Sequence, residues 1–324
     1  MKAIVYQKYG SPEVLELKEV EKPSPKDNEV LIKIAAASVN AADWRMMRAD
    51  PFLVRFFSGL FRPKKNSILG ADIAGYVESI GKNVSQFKVG DEVFGDVSES
   101  GFGGFAEYKC AKEHEIVLKP SNISFAEAAA MPLAALTALY ALRDFGKINQ
   151  KNKVLINGAS GGVGNFVIQL AKYFEADVTA ICSSSKIKLA KSIGADNVID
   201  YTKEDFTQNT TKYDLVIAVN GFRSIFDYLK ILKPQGIYIM IGGGSKQLFQ
   251  ALLLGPLLSL VTNKNIVVVT SKPNQKDLHF LVNLIESKKI SPIIDRTYPL
   301  IQLPDAIRYM EEGHANGKVV ISIY

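Results

Sequence analysis

The chain has 324 residues, enough for two domains with cores of their own. With 47% hydrophobic and 22% charged residues it has the composition of a folded globular protein, which excludes a disordered chain and a membrane bundle. The net charge of +6 comes from 39 basic and 33 acidic residues with no basic run beyond pairs, so a nucleic-acid-binding stripe is excluded, while a mild attraction for an anionic ligand is not. Residues 1 to about 120 read as β-rich. Short alternating or β-branched runs at 2–6, 15–20, 29–37, 73–80, 92–95 and 106–110 are separated by Gly10-Ser11-Pro12, Pro23-Ser24-Pro25, Gly81-Lys82-Asn83 and Gly90-Asp91. That spacing predicts a compact antiparallel or barrel-like domain.

From about 123 the rhythm changes. Residues 125–145 form an Ala/Leu-rich helical stretch in which Pro132 marks a break or restart. Strands at 153–156, 178–181, 197–199, 215–218, 237–241 and 266–269 then alternate with helices, including 186–193 and 225–232, which predicts a doubly wound parallel sheet. A further amphipathic helix at 275–288 and a last strand at 319–323 follow, and the tail is expected to return to the first domain. The predicted division is therefore 1–122 with 273–324 for one domain and 123–272 for the other. Two cysteines far apart, Cys110 and Cys182, imply no disulfide framework and cannot form a four-cysteine zinc lobe. The first six residues read as a strand and not as a signal peptide, so a cytoplasmic location is expected.

Two apolar stretches stand out. Residues 248–261 are too short to span a bilayer and are broken by Gly255-Pro256; they read as a core helix pair, or else as a wall of the substrate cleft or a dimer face. Residues 46–63 hold Phe52, Phe56, Phe57, Leu60 and Phe61, which suits a lid for an apolar substrate or a plain buried helix.

The chemistry concentrates where strand 153–156 meets the following helix, at Asn157-Gly158-Ala159-Ser160-Gly161-Gly162-Val163-Gly164. A helix N-terminus attracts phosphate through its free N–H groups and its dipole, and glycine lets a pyrophosphate come close. In this strand–turn–helix context the turn reads as a dinucleotide site formed by Gly158, Ala159, Ser160, Gly161, Gly162, Val163 and Gly164. A site for NAD places an acid at the end of the second strand to hold the ribose hydroxyls. Here Cys182-Ser183-Ser184-Ser185-Lys186 follows that strand without an acid, so Ser183, Ser184 and Lys186 are assigned to a 2′-phosphate and NADPH is the expected cofactor. Asn220, after the fourth strand, lies where ligands bind such sheets.

The stretch 157–172 resembles the coenzyme loop of the zinc-independent quinone oxidoreductase branch of the medium-chain dehydrogenase/reductase superfamily. Leu69-Gly70-Ala71-Asp72-Ile73-Ala74-Gly75, Val89-Gly90-Asp91-Glu92-Val93, Gly103-Gly104-Phe105-Ala106-Glu107-Tyr108, Leu133-Ala134-Ala135-Leu136-Thr137-Ala138 and His314-Ala315-Asn316-Gly317-Lys318-Val319-Val320 resemble further motifs of that family. The resemblance implies an α/β chain with a GroES-like β-barrel catalytic domain and a Rossmann cofactor domain. It adds Tyr201 to the 2′-phosphate pocket and Asn40, Thr137, Gly242, Gly243 and Lys318 to the cofactor site. It implies a homodimer through the Rossmann sheet edge at 266–269 as one possible assembly.

In the zinc enzymes of the superfamily a Cys would stand at Asn40 and a His at Ala71, so no zinc is expected. Without a metal, substrates that need little activation fit best, namely apolar quinones or α,β-unsaturated carbonyls reduced by hydride transfer. Asn40 and Asp43 are the candidate catalytic residues, Asn40 as a donor to a carbonyl or to the nicotinamide amide and Asp43 as the orienter of a proton relay. The alternatives are an enoyl-thioester or ketone/aldehyde reductase on the same scaffold, and a non-catalytic NADPH-binding protein.

Overall fold

The computed structural model describes residues 1–64, 67–221 and 223–324, with Phe57 as backbone only. The chain forms two compact units. The first holds Met1–Leu136, Lys272–Lys288 and Pro292–Tyr324; the second holds Thr137–Ser271 with Lys289–Ser291.

The first unit begins with β1 (Lys2–Tyr6), β2 (Glu16–Glu19) and the long β3 (Glu29–Val39). α1 (Ala41–Arg48) and the single turn α2 (Arg55–Ser58) follow, then β4 (Ser67–Ile68), β5 (Asp72–Ile80), β6 (Glu92–Asp96), β7 (Tyr108–Lys112) and β8 (Ile116–Leu118). α3 (Phe125–Ala129) is capped by Ser124, whose hydroxyl accepts from the Glu127 N–H, and α4 (Pro132–Leu139) starts at the proline that the sequence marks as a restart.

The second unit alternates: β9 (Lys153–Asn157), α5 (Gly162–Tyr173), β10 (Asp177–Cys182), α6 (Ile187–Ser192), β11 (Asn197–Asp200), β12 (Tyr213–Ala218), α7 (Ile225–Ile231), β13 (Leu232–Met240), α8 (Ser245–Phe249), α9 (Gly255–Thr262) and β14 (Asn265–Val268). The chain then returns to the first unit with α10 (Gln275–Glu286), β15 (Ile294–Pro299), α11 (Leu303–Glu311) and β16 (Lys318–Ser322).

Among the described residues the sheet of the second unit has the order β11-β10-β9-β12-β13-β14, every neighbouring pair parallel. The order reverses between β9 and β12, so their C-terminal ends form a switch point where loops leave the sheet in opposite directions. The apolar runs that predict the central strands β9, β10 and β12 are buried on both faces, as inner parallel strands require, while the edge strand β14 is only half-buried. β13 starts earlier than the apolar run alone suggests, because Leu232-Lys233-Pro234-Gln235-Gly236, which reads as a turn, continues as an irregular strand with Gln235 at φ 62°.

The first unit is built on β3, which is buried along nearly all its length with only Lys33 exposed and which pairs antiparallel with β5, β7 and β16. Ile4, Ile32, Ile34, Ile73, Val93 and Ile321 fill the core between its strands; each such side chain contributes roughly 1.5–3 kcal/mol on burial. The register brings Ser38 opposite Asp72, Asp72 opposite Asp96, and Val39 opposite Val319. Polar residues from strands distant in sequence therefore gather at one end of the sheet.

The two apolar stretches behave differently from a plain core. In 46–63, Phe52, Phe56, Leu60 and Phe61 are exposed, which rules out the buried-helix reading. The Arg55 guanidinium lies 4.8 Å from the Tyr9 ring and 5.1 Å from that of Phe52. In 248–261 only one face packs inward, through Ala251 and Gly255, while Leu253, Leu257, Leu260 and Val261 face outward. No helix among the described residues is long and apolar enough to cross a membrane.

Candidate active site

In the first unit the residues that chemistry needs form a closed polar cluster. Asn40 follows β3 directly and precedes α1, whose third residue, Asp43, accepts from the Asn40 backbone N–H at 2.7 Å. The other Asp43 oxygen accepts from the Gly70 N–H at 2.9 Å. Asp43 is fully buried, and this burial pushes its carboxyl up to about 7, with nearby Asp72 adding in the same direction. Both its oxygens are occupied by backbone, so the structure places Asp43 as a brace for the turn between β3 and α1, and not, as the sequence suggested, as an orienter of a relay.

The Asn40 carboxamide is likewise occupied. Its Nδ2 donates to Asp72 Oδ2 at 2.9 Å and to the Ser38 carbonyl at 3.3 Å, while Oδ1 accepts from Lys318 Nζ at 2.5 Å. Lys318 also lies 3.3 Å from Asp72 Oδ2. Asp72 takes further hydrogen bonds from Ser38 Oγ at 2.9 Å and from the Leu133 backbone N–H at 2.8 Å. Asn40, Asp72 and Lys318 are 4%, 0% and 3% exposed. The donor role predicted for Asn40 is thus corrected: both amide N–H groups are used within the protein. Lys318, predicted beside the cofactor residues, lies in the first unit with Asn40. Asp72 and Ser38 were missed as site residues, although a carboxylate opening the apolar strand Asp72-Ile73-Ala74 was a visible signal.

In the second unit three loops converge at the switch point. The Val219 and Asn220 N–H groups donate to the Asn157 carbonyl at 2.9 and 3.3 Å, and the Ile241 N–H donates to the Ala218 carbonyl at 2.9 Å. Gly158, Asn220 and Gly242 are therefore brought together. Gly158 has φ +82°, and a Cβ there would stand 2.6 Å from the Asn220 nitrogen. A Cβ on Gly164 would stand 2.3 Å from the Gly158 carbonyl oxygen, so this glycine lets α5 pack against the turn.

Gly161 is different. Its φ is −78°, and a Cβ would meet only the Gly158 oxygen, at 3.8 Å. No described atom requires glycine there, and the first turn of α5 is left open to approach. As N-cap, Gly161 also has no side chain to accept from that turn. This open approach and the helix N-terminus fit the pyrophosphate of a dinucleotide. Below the turn, Asn157 Nδ2 donates to the buried Tyr228 hydroxyl at 2.6 Å, and Gln247 Nε2 donates to the Tyr238 hydroxyl at 2.8 Å, beneath Gly243.

Ser183, Ser184, Lys186 and Tyr201 gather at the ends of β10 and β11, where the Tyr201 N–H donates to the Cys182 carbonyl. One correction matters. The acid that the sequence lacks after β10 is supplied from the neighbouring strand, because parallel register sets Asp200 beside Cys182. Ser184 Oγ donates to Asp200 Oδ2, and Thr202 Oγ1 donates to Oδ1 at 2.6 Å. These two hydroxyls hold the Asp200 carboxyl down to about 2. Ser184 therefore does not have its hydroxyl proton free for a phosphate. Thr137 is the first residue of the second unit and is buried in α4.

A family model described as "Alcohol dehydrogenase GroES-like domain" matches residues 26–121, and one described as "Zinc-binding dehydrogenase" matches residues 193–321. The chain is 36% identical to the chloroplast envelope quinone oxidoreductase homolog of Arabidopsis thaliana, over 99% of its own length and 98% of the relative's. It is 37% identical to the chloroplastic NADPH-dependent alkenal/one oxidoreductase of the same plant, over 99% of its own length and 79% of the relative's. The solved structure of Escherichia coli quinone oxidoreductase complexed with NADPH superposes with a TM-score of 0.85 at 25% identity, covering 99% of this chain and 100% of that one.

The zinc of the second description finds no matching donors at the expected positions. Asn40 and Ala71 stand where Cys and His would be needed, and Asp72 is already taken by four donors. Among the described residues, no three His, Cys, Asp or Glu side chains gather as a metal ion would need.

Proposed function

The chain belongs to the medium-chain dehydrogenase/reductase superfamily, among its quinone oxidoreductase-like members, with a GroES-like and a Rossmann part, and on that premise we propose that it is an NADPH-dependent, zinc-independent reductase of quinones or α,β-unsaturated carbonyls. The observation that carries this reading is the open first turn of α5, where Gly161 has space that the protein itself does not use. Gly158, Ala159, Ser160, Gly161, Gly162, Val163 and Gly164 hold the pyrophosphate, and Asn220, Gly242, Gly243 and Thr137 line the remainder of the dinucleotide's path. Ser183, Lys186 and Tyr201 take the 2′-phosphate. Ser184 faces Asp200, so it shapes this pocket without donating to it, and the preference for NADPH over NADH is moderate.

When bound, NADPH supplies the hydride from its nicotinamide ring. The residues of the first unit supply a fixed polar surface and no metal. Quinones and enones suit this arrangement, because conjugation lets them accept hydride without a Lewis acid. Asn40 is the residue that touches a ligand; Asp43 braces the turn that presents it. The two cysteines, Cys110 and Cys182, are free thiols.

The test follows NADPH oxidation at its absorbance band against quinones, enones, enoyl thioesters and simple aldehydes, with NADH and a chelator in parallel. Turnover of quinones or enones, with NADPH preferred and the chelator without effect, is expected. Loss of activity to the chelator contradicts the metal-free assignment. NADPH binding without turnover of any acceptor favours a binding protein instead.

A further inference from the structure

In the second unit the helical run through α8 and α9 is inverted relative to an ordinary surface helix. α8, a wider helical turn over Gln250–Leu254 and α9 follow one another without a break, which makes about 27 Å of helix at ~1.5 Å per residue. The inner side packs on the sheet. Ala251 is buried, Leu248 and Leu258 lie against the core, and a Cβ on Gly255 would stand 2.9 Å from Ile266 Cγ2 of β14.

The polar side chains of the run are turned to the protein as well. Gln247 Nε2 donates to the Tyr238 hydroxyl at 2.8 Å, and Gln250 Oε1 accepts from the Ile225 N–H at 3.4 Å. Ser259 Oγ accepts from the Ile266 N–H at 3.2 Å, and the Thr262 hydroxyl bends back to the Leu258 carbonyl at 2.6 Å. What is left for the outside is apolar. Leu253, Leu260 and Val261 are 73%, 84% and 70% exposed, and with the exposed Leu257 they recur at the i, i+4, i+7, i+8 spacing of one helix face. A helix that is apolar all round belongs in a buried place, and here the protein covers only one side of it.

The charge around this face selects what covers the other side. No acidic residue stands between Asp227 and Asp277, whereas Lys246 lies at the start of the run and Lys264 just beyond its end. Lys264 Nζ donates to the Leu229 carbonyl, and Lys212 Nζ donates to the neighbouring Lys230 carbonyl at 2.6 Å, so two ammonium groups gather at the C-terminal end of α7. In a two-fold pair of such faces lysine would meet lysine whichever way the runs were laid, with no acid on the face to separate them. A bilayer surface with anionic headgroups meets both demands, since the acyl boundary takes leucines and the phosphates take ammonium groups.

We propose that the outer face of α8 and α9 docks the protein peripherally on an anionic phospholipid surface. The run lies flat, with Leu253, Leu257, Leu260 and Val261 at the acyl boundary and Lys246 and Lys264 at headgroup level at its two ends. It does not cross the bilayer, for which it is too short. This docking uses the second unit alone and does not depend on the cofactor.

The full chain is sedimented with vesicles of pure phosphatidylcholine and of phosphatidylcholine mixed with phosphatidylglycerol, and its mass in solution is measured by light scattering. The wild type is expected to pellet with the mixed vesicles, less so as salt is raised, and to stay in solution with the neutral ones. Leu253→Ser/Leu257→Ser/Leu260→Ser is expected to weaken binding by about 100-fold or more, and Lys246→Gln/Lys264→Gln by about tenfold, with thermal melting reporting that both chains are folded. Should the triple variant fail to fold, Leu260→Ser alone is expected to weaken binding by about tenfold.

No sedimentation with the mixed vesicles, equal sedimentation with the neutral ones, or a folded leucine variant that pellets as the wild type does overturns the proposal. The rival cover is a second copy, because β14 beneath the run is an edge strand among the described residues. A wild-type dimer that the leucine substitutions split into monomers assigns the face to that copy and overturns the proposal too.

Discussion

The polar cluster of the first unit and the glycine turn of the second face opposite demands. Around Asn40, buried groups satisfy one another: Asp72 collects four donors, Asp43 two, and the Asn40 amide spends both of its own. At Gly161 the protein leaves room and supplies no cap, so the helix N-terminus is offered to whatever arrives. The first region is closed on itself because an unpaired group there would be costly. The second is useful because its groups are not consumed. Together they suggest a division in which one unit fixes geometry and the other binds charge.

The largest effect should come from filling the open space. Gly161→Val is expected to weaken NADPH binding by about 100-fold or more while leaving the melting temperature within a few degrees, because a Cβ there meets no close protein atom. Gly164→Val should instead cost the fold of the second unit, since its Cβ would stand 2.3 Å from the Gly158 oxygen. Calorimetry and circular dichroism on both chains check this. A folded Gly161→Val that binds NADPH as the wild type does would break the contrast.

The phosphate pocket gives the next effect. Lys186→Ala with Tyr201→Phe should raise KM for NADPH by about tenfold and leave KM for NADH within about twofold, since only NADPH carries the extra phosphate. Asp200→Asn removes the charge facing Ser184 and should shift preference further toward NADPH, by a few-fold. Equal changes for both cofactors would place the 2′-phosphate elsewhere.

Tyr228→Phe sharpens the picture of how the turn is held from below. It leaves the buried Asn157 Nδ2 without the acceptor it now has at 2.6 Å, at a cost of about 1–3 kcal/mol in stability. Denaturant unfolding measures this; no loss would mean that the network does not support the turn.

The smallest expected effect concerns the first unit and pH. Burial first, and the facing Asp72 next, raise the Asp96 carboxyl from 3.8 to about 7. Between about pH 4 and 7 the folded chain thus keeps a proton that the unfolded chain has released, and the stability from that proton falls as pH rises through this window. Asp96→Asn keeps an oxygen for the Ser98 N–H and carries no charge. It should therefore melt a few degrees above the wild type at pH 8, with the difference shrinking toward pH 4. A wild type more stable than the variant at pH 8 would contradict the burial of unwelcome charge in this cluster.

What could be read from the sequence follows from how local each feature is. The strands of the second unit announce themselves because a buried parallel strand is a continuous apolar run, and Lys153-Val154-Leu155-Ile156 is one. The glycine turn is contiguous, so its chemistry is visible in eight residues. The cluster around Asn40 was only half visible. Lys318 lies 278 positions away, and only the antiparallel pairing of β16 with β3 brings it to the carboxamide. Asp200 escaped notice for a related reason: its place beside Ser184 is set by register with β10 and not by its distance along the chain. The direction of the Asn40 amide was likewise set by partners that the local sequence does not contain.

The central claim is tested most directly by following the transferred hydrogen. The wild-type chain is mixed with NADPH carrying deuterium at both C4 positions and with an α,β-unsaturated ketone or a quinone, and the products are examined by mass spectrometry and NMR. The account predicts that the saturated ketone gains one deuterium at its β-carbon, and that the hydroquinone forms with one equivalent of NADPH consumed, unchanged by a chelator. A reduced product without deuterium at that carbon, or deuterium delivered only to the carbonyl carbon of saturated aldehydes and ketones, would contradict it.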